Sequence, residues 1–137
     1  MNRSDLAKKA KSAADKRLAA QGYISLVDVL LEMGRLSTEN LERWRLRQVP
    51  YLEMVLPGSL NQHAFLGREL RIYALRELGL RPSHTTYMSW GKGQRHRLRF
   101  SKFNAPAVEA LFSTHYVASA TNRSDSKQLQ VGLAFLP

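Results

Sequence analysis

The 137 residues include no cysteine, which excludes disulfides, thiolate catalysis and cysteine-bound zinc, while an apolar fraction of 44% suffices for one modest core. No apolar run approaches the ~18 residues of a membrane span, and the opening MNRSDLAKKAKSAADKRLAA lacks the apolar stretch of a secretory signal, so a soluble, cytoplasmic chain without a membrane partner is expected. The net charge of +10, from 21 Lys and Arg against 11 Asp and Glu, asks for a partner carrying a dense array of negative charge.

Residues 1–21 hold six basic and two acidic side chains. Ser4 is a candidate N-cap and Gly22 a stop for a helix over 4–21. Its apolar residues are mostly alanine, with Leu6 and Leu18, so it can bury little. Residues 1–21 are therefore expected to form a basic N-terminal arm or helix, removable without loss of the fold. A helical domain with a β-hairpin is expected over 22–117 and a flexible tail over 118–137.

The stretch SLVDVLLEM (25–33) reads as a short buried helix capped by Ser25 and stopped by Gly34. Ser37 caps a second helix, with Glu39 favourably placed in its first turn. Leu41, Trp44, Leu52 and Val55 approximate one helical stripe, which Pro50 interrupts with a kink or break. Ser59 and Gln62 have capping-box spacing and open a third helix, running to about Leu78 and ended by Gly79.

The period then changes. Thr85, Thr86, Tyr87 and Trp90 favour strand, Gly91-Lys92-Gly93 supplies a turn, and residues 95–100 alternate. His96, Leu98 and Phe100 are expected to face inward, and Arg95, Arg97 and Arg99 outward. A last helix opens near Asn104, with Pro106 in its first turn and Val108, Leu111 and Phe112 inward. The fold class is thus α+β, mainly helical: a compact helical domain with a basic β-hairpin.

Residues 68–102 hold nine basic and two acidic side chains, so the charge is concentrated in this block as well as at the N-terminus. Alternate residues on a strand face lie about 7 Å apart, which makes Arg95, Arg97 and Arg99 a row of guanidiniums with Lys92 at the tip. Such a row repels itself unless an anion opposes it. Duplex DNA carries a charge every ~1.7 Å of axis, and the guanidinium fork suits phosphate oxygens and guanine edges. The competing reading is a solvated sheet face. Against it stands the lack of any acidic residue over 83–103. Arg68 and Arg71 add charge from the preceding helix, and its first turn offers Asn61, Gln62 and His63 for base edges or phosphate, or simply as caps.

Three helices followed by a basic hairpin resemble a winged helix-turn-helix domain over about residues 23–103. The resemblance implies that Asn61, Gln62, His63 and Arg68 read a groove, while Lys92, Arg95, Arg97 and Arg99 are wing residues; Lys102, in the same basic block, is expected to contact nucleic acid as well. Pro50 and the lack of a placeable strand between helices one and two depart from that pattern. A second helix-turn-helix placement, over 26–45, uses TENLERWRLR as reading helix. Glu39 and Glu42 at its start would repel phosphate, though Arg45 and Arg47 could touch backbone. Of Tyr87 and Trp90, one at most flanks the arginines and could stack on a base; the other belongs to the core.

The four histidines, His63, His84, His96 and His115, show no metal spacing, and Asp28 with Glu32 supplies only two carboxylates on one helix face. Gly91-Lys92-Gly93 lacks the residues of a phosphate-binding P-loop. No enzyme activity, cofactor or metal is expected. The leading expectation is a DNA-binding regulator or accessory factor, DNA standing ahead of RNA or the ribosome. A small metal-independent nuclease or toxin using His84 or His115 is the alternative from another class. A protein-interaction module is a third, with LQVGLAFLP (129–137) as a stretch that could dock a partner or a second copy as a homodimer.

Overall fold

Three serines fix where the central helices begin. The Ser25 hydroxyl accepts from the Asp28 amide, Ser37 from Asn40 and Ser59 from Gln62, each satisfying a first-turn N–H that the helix cannot. In the computed structural model, which describes residues 2–118, these caps open α2 (Leu26–Glu32), α3 (Thr38–Arg45) and α4 (Leu60–Ile72). Before them lie α1 (Arg3–Gln21) and β1 (Tyr23–Ser25). A 3₁₀ turn follows Pro50 at Leu52–Val55, and α4 continues into a π-helical turn at Tyr73–Glu77. The chain closes with β2 (Arg81–His84), α5 (Pro106–Ser113) and β3 (Thr114–Val117).

The architecture is α+β and mainly helical, with one small antiparallel sheet in the order β1-β3-β2. Tyr23 pairs with Val117 and Ser25 with His115 on one side of β3, while Arg81 pairs with Val117 and His84 with Thr114 on the other. The sheet thus joins β1, near the start of the chain, to a strand just before residue 118, which follows directly on α5 and is the central strand.

The expected hairpin strands are present only as an irregular ribbon. Leu98 N–H donates to the Tyr87 carbonyl and Ser89 N–H to the His96 carbonyl, both at 2.8 Å, flanking a single bridge between Met88 and Arg97. Leu98 and Phe100 are buried and Arg95, Arg97 and Arg99 exposed, as alternation requires, but His96 is exposed instead of facing inward, because it lies in the turn end of the ribbon, residues 90–97, all of which are exposed.

Helix α1 is the larger correction. Its N-cap is Asn2 rather than Ser4, and Leu6, Ala10, Ala13 and Ala14 are buried against α2, α4 and β1. Alanine removes little apolar area per residue, yet its small side chain lets two helices approach closely, so the helix joins the core despite its composition. Gly67 works likewise: a Cβ there would stand 3.1 Å from the Leu111 Cβ, so any other residue would require Leu111 to give by a few tenths of an ångström. Trp44, Leu30, Leu66, Phe112 and Tyr116 fill the centre. The polar stretch from 119 onward and the segment LQVGLAFLP lie outside the described residues.

Candidate nucleic-acid interface

The arginine-bearing return strand of the ribbon is held on three sides. Trp44 from α3 donates its indole N–H to the Arg99 carbonyl at 2.9 Å, and the 3₁₀ turn contributes Leu52 N–H to the same carbonyl and Glu53 N–H to Phe100. From α5, Glu109 accepts from the amides of Phe100 and Ser101 and from the Ser101 hydroxyl, at 2.8–2.9 Å. A carboxylate taking three donors is engaged as a clasp, and its charge is directed inward to the backbone. Phe100 stacks on Phe112 with ring centroids 5.1 Å apart. The strand is thereby rigid while its arginines point to solvent.

On one flank of this strand, Arg97 and Arg99 face Arg47, Gln48 and Pro50 across an open groove of about 440 Å³ lined by no carboxylate. On the other flank the same two arginines line a second groove of about 460 Å³ with His84, Asn104, Glu109 and Ser113. Among the described residues, the ion pairs are those of Arg17 with Asp28 (3.8 Å) and Glu32 (3.1 Å), so no carboxylate pairs with Arg47, Arg95, Arg97 or Arg99. Three guanidiniums converging on one cleft without a counter-charge make a site that favours an anion, phosphate above all.

Arg47 reaches this groove at a backbone cost. It has φ of 63°, in the left-handed region usually left to glycine. The cause is a Schellman close to α3: the Arg47 N–H donates to the Trp44 carbonyl and the Gln48 N–H to the Arg43 carbonyl. Arg45, two residues earlier, is anchored by Nη1 on the Met88 carbonyl at 2.8 Å and lies over the rings of Tyr87 (4.7 Å) and Trp90 (5.1 Å). Burial pushes the Arg45 guanidinium below its ordinary pKa and the Tyr87 hydroxyl up to about 12.

The predicted residues divide into two groups. Lys92, Arg95, Arg97 and Arg99 are exposed on the ribbon, and Lys102 is exposed at its base with its ammonium 5.5 Å from the Phe103 ring. The residues from α4 line neither groove. Helix α4 packs against α1, α2 and α5, whereas the ribbon is held by α3, the 3₁₀ turn and α5. Arg71 lies beside the Tyr116 hydroxyl of β3, and Asn61 and Arg68 are exposed on α4.

Two first-turn residues of α4 are engaged internally. His63 is 1% exposed, and its Nε2 donates to the Pro57 carbonyl at 2.8 Å, which removes it from any groove contact. Gln62 completes only half of a capping box: its Oε1 accepts from Arg35 at 2.6 Å in place of the Ser59 amide. In place of these residues the ribbon is joined by Arg45 and Arg47. The signal for them was a run of three arginines at alternate positions, Arg43, Arg45 and Arg47, shortly before Pro50.

The histidines separate as well. His115 Nε2 and the Tyr87 hydroxyl are hydrogen-bonded at 2.9 Å, Tyr23 stacks on the His115 ring at 4.9 Å, and burial lowers the His115 pKa. That ring is a structural tie between sheet and ribbon. Asp28 accepts from Ser25 Oγ and Gln21 Nε2 and pairs with Arg17. The described residues contain no cluster of three or more metal-ligating side chains, and no described helix is long and apolar enough to cross a membrane. In comparison with known proteins, the chain matches no family model, and no curated protein or solved structure is significantly similar to it.

Proposed function

We propose that this chain binds nucleic acid, DNA first, by seating backbone phosphates on the ribbon and on the turn that follows α3. The observation that carries the reading is the groove between Arg47 and the Arg97–Arg99 edge, with three guanidiniums and no carboxylate. Cations with no carboxylate partner give up no ion pair on meeting phosphate, and the strand that carries them is already held in place. Lys92, Arg95 and Lys102 extend the same charge along the ribbon, which suits a polyanion better than a single small anion.

The winged-helix part of the reading draws support from element order, α2, α3 and α4 preceding β2 and the basic ribbon, whereas β1 precedes the first of these helices and α5 separates the ribbon from β3. In that arrangement the ribbon is the wing, and Asn61, Arg68 and Arg71 of α4 contribute at most separate contacts. A role as regulator or accessory factor, without catalysis, fits such a binding surface.

Titrating duplex DNA, single-stranded DNA and RNA over a range of salt tests the reading. Arg97→Ala with Arg99→Ala should weaken binding to all sequences and lower the slope of log K against log salt by roughly 0.9 for each phosphate that is no longer neutralised. Unchanged affinity and slope in the double variant would defeat the proposal.

One observation favours a second reading. His84 is exposed on β2 and shares the second groove with Arg97 and Arg99. A histidine beside these two guanidiniums could take the proton from a ribose 2′-hydroxyl as that oxygen attacks the phosphorus and the P–O5′ bond breaks, leaving a 2′,3′-cyclic phosphate and a 5′-oxygen that takes a proton from water. Metal-independent RNA cleavage that persists in EDTA and vanishes in His84→Ala would replace the binding reading with this one.

A further inference from the structure

We propose that Trp90 is a stacking platform for an unpaired base, so that the nucleic acid recognised here includes a single-stranded segment. The inference rests on the nucleic-acid reading above and adds to it the strandedness of the target. Of the two aromatic residues on the outgoing half of the ribbon, Tyr87 is 7% exposed and belongs to the core, whereas Trp90 is 48% exposed. An indole this open in water costs free energy unless something covers it.

Its backbone is tied down and its ring has a neighbour. The Trp90 main-chain N–H donates to the Arg45 carbonyl at 2.7 Å, and the Arg45 guanidinium lies over the indole at 5.1 Å. Arg45 is itself held on the Met88 carbonyl and on the Tyr87 ring. The Arg45 guanidinium thus lies against both the buried Tyr87 ring and the half-exposed Trp90 ring. A planar base can stack on the exposed part of the indole, adding to a cation–ring arrangement already in place.

The surroundings suit a nucleotide. Gly91 and Gly93 follow directly, and nothing stands within 4 Å of where their side chains would begin, so a sugar–phosphate chain can pass close to the backbone. Lys92 lies between them, and Arg95 and Arg97 follow on the return half, placing cations within reach of the same nucleotide's phosphates. In a continuous duplex each base has both faces covered by its neighbours, and a side chain at the groove edge meets only base edges. An indole can stack only where a base is unpaired or terminal. Phe103 is more exposed, at 80%, but has no comparable hold, its ring meeting the adjacent Lys102 ammonium.

The protein reports on this site by itself, because Trp44 is fully buried and Trp90 is the exposed indole. The full chain is titrated with oligothymidylate and with a blunt, capped-end duplex, following tryptophan emission and binding together. Oligothymidylate should quench the emission and bind more tightly than the duplex. Trp90→Ala should weaken oligothymidylate binding roughly tenfold or more while leaving duplex affinity and the salt slope nearly unchanged. Trp90→Phe, which keeps a ring, should recover much of the affinity. Equal affinity of Trp90→Ala and the parent for oligothymidylate, or binding without any change in emission, would overturn the stacking role while the phosphate-binding reading stood. Loss of self-association in Trp90→Ala at unchanged oligothymidylate affinity would assign the ring to a second copy of the chain instead. Failure of the parent to bind either probe would remove both proposals.

Discussion

The Trp44 indole N–H donates to the main-chain carbonyl of Arg99 across 2.9 Å, so the most buried aromatic of α3 holds the strand that displays the arginines. The same ring packs against Phe100 at 5.1 Å and Tyr87 at 5.7 Å. Trp44→Phe retains part of that packing but leaves the Arg99 carbonyl with the longer 3.3 Å hydrogen bond from Leu52. Because the carbonyl keeps the Leu52 donor, losing the indole hydrogen bond costs about 0.5–1.5 kcal/mol, and the vacated volume adds to it. The variant should melt earlier, and its Leu98 and Ser89 amides should exchange faster with solvent. Unchanged exchange at those two amides would show that the ribbon does not depend on α3.

Arg47 should show opposite effects on stability and binding. Its φ of 63° is a conformation that costs an L-residue roughly 1–2 kcal/mol, and glycine is the ordinary occupant of this position in a Schellman close. Arg47→Gly should therefore raise stability by about 0.5–1 kcal/mol after allowing for glycine's greater freedom in the unfolded chain. The same change removes one of three guanidiniums from the groove, so nucleic-acid affinity and salt slope should both fall. A variant that is more stable and binds as before would mean that Arg47 does not touch the nucleic acid.

What could be read from the chain follows from the range of each interaction. Local chemistry was legible: Ser25, Ser37 and Ser59 cap the helices they precede, and Leu98 and Phe100 turn in while Arg97 and Arg99 turn out. Non-local pairing was not. The strands at 23–25, 81–84 and 114–117 are too short to show alternation, β2 contains Pro82, and their partners are distant in sequence. His63 carried the residue type of a surface contact, but its burial depends on Phe112 and Pro57 meeting it from other segments.

Helix α1 should prove part of the core. Leu6 is buried among helices, and truncating a buried leucine to alanine costs about 2–5 kcal/mol. Ala14 is 0% exposed, so Ala14→Leu forces extra methylenes into filled space at roughly 1–3 kcal/mol. Both variants should lower the melting temperature, and removal of residues 1–21 should lower it further. An unchanged melting temperature for the truncated chain would restore the view of this segment as a dispensable arm.

The fold should weaken on mild acidification, and His63 supplies the reason. The Pro57 carbonyl can only accept, so the His63 Nε2 carries the proton and Nδ1 is left bare, buried and without a partner. A second proton would place a charged, unpaired N–H in that site, and burial accordingly holds the His63 pKa below its ordinary 6.5. Burial lowers His115 in the same way. Just below pH 6.5 the unfolded chain therefore binds more protons than the folded one, so stability is complete above that value and is lost as pH falls towards the folded-state pKa values. The melting temperature should be nearly level between about pH 7 and 8 and decline from about 6.5 downward, before most carboxylates titrate. His63→Gln keeps an amide donor for Pro57 but cannot titrate, so it should remove part of the decline, and adding His115→Gln should remove more. An acid slope identical in the parent and the double variant would show that neither ring is held neutral by the fold.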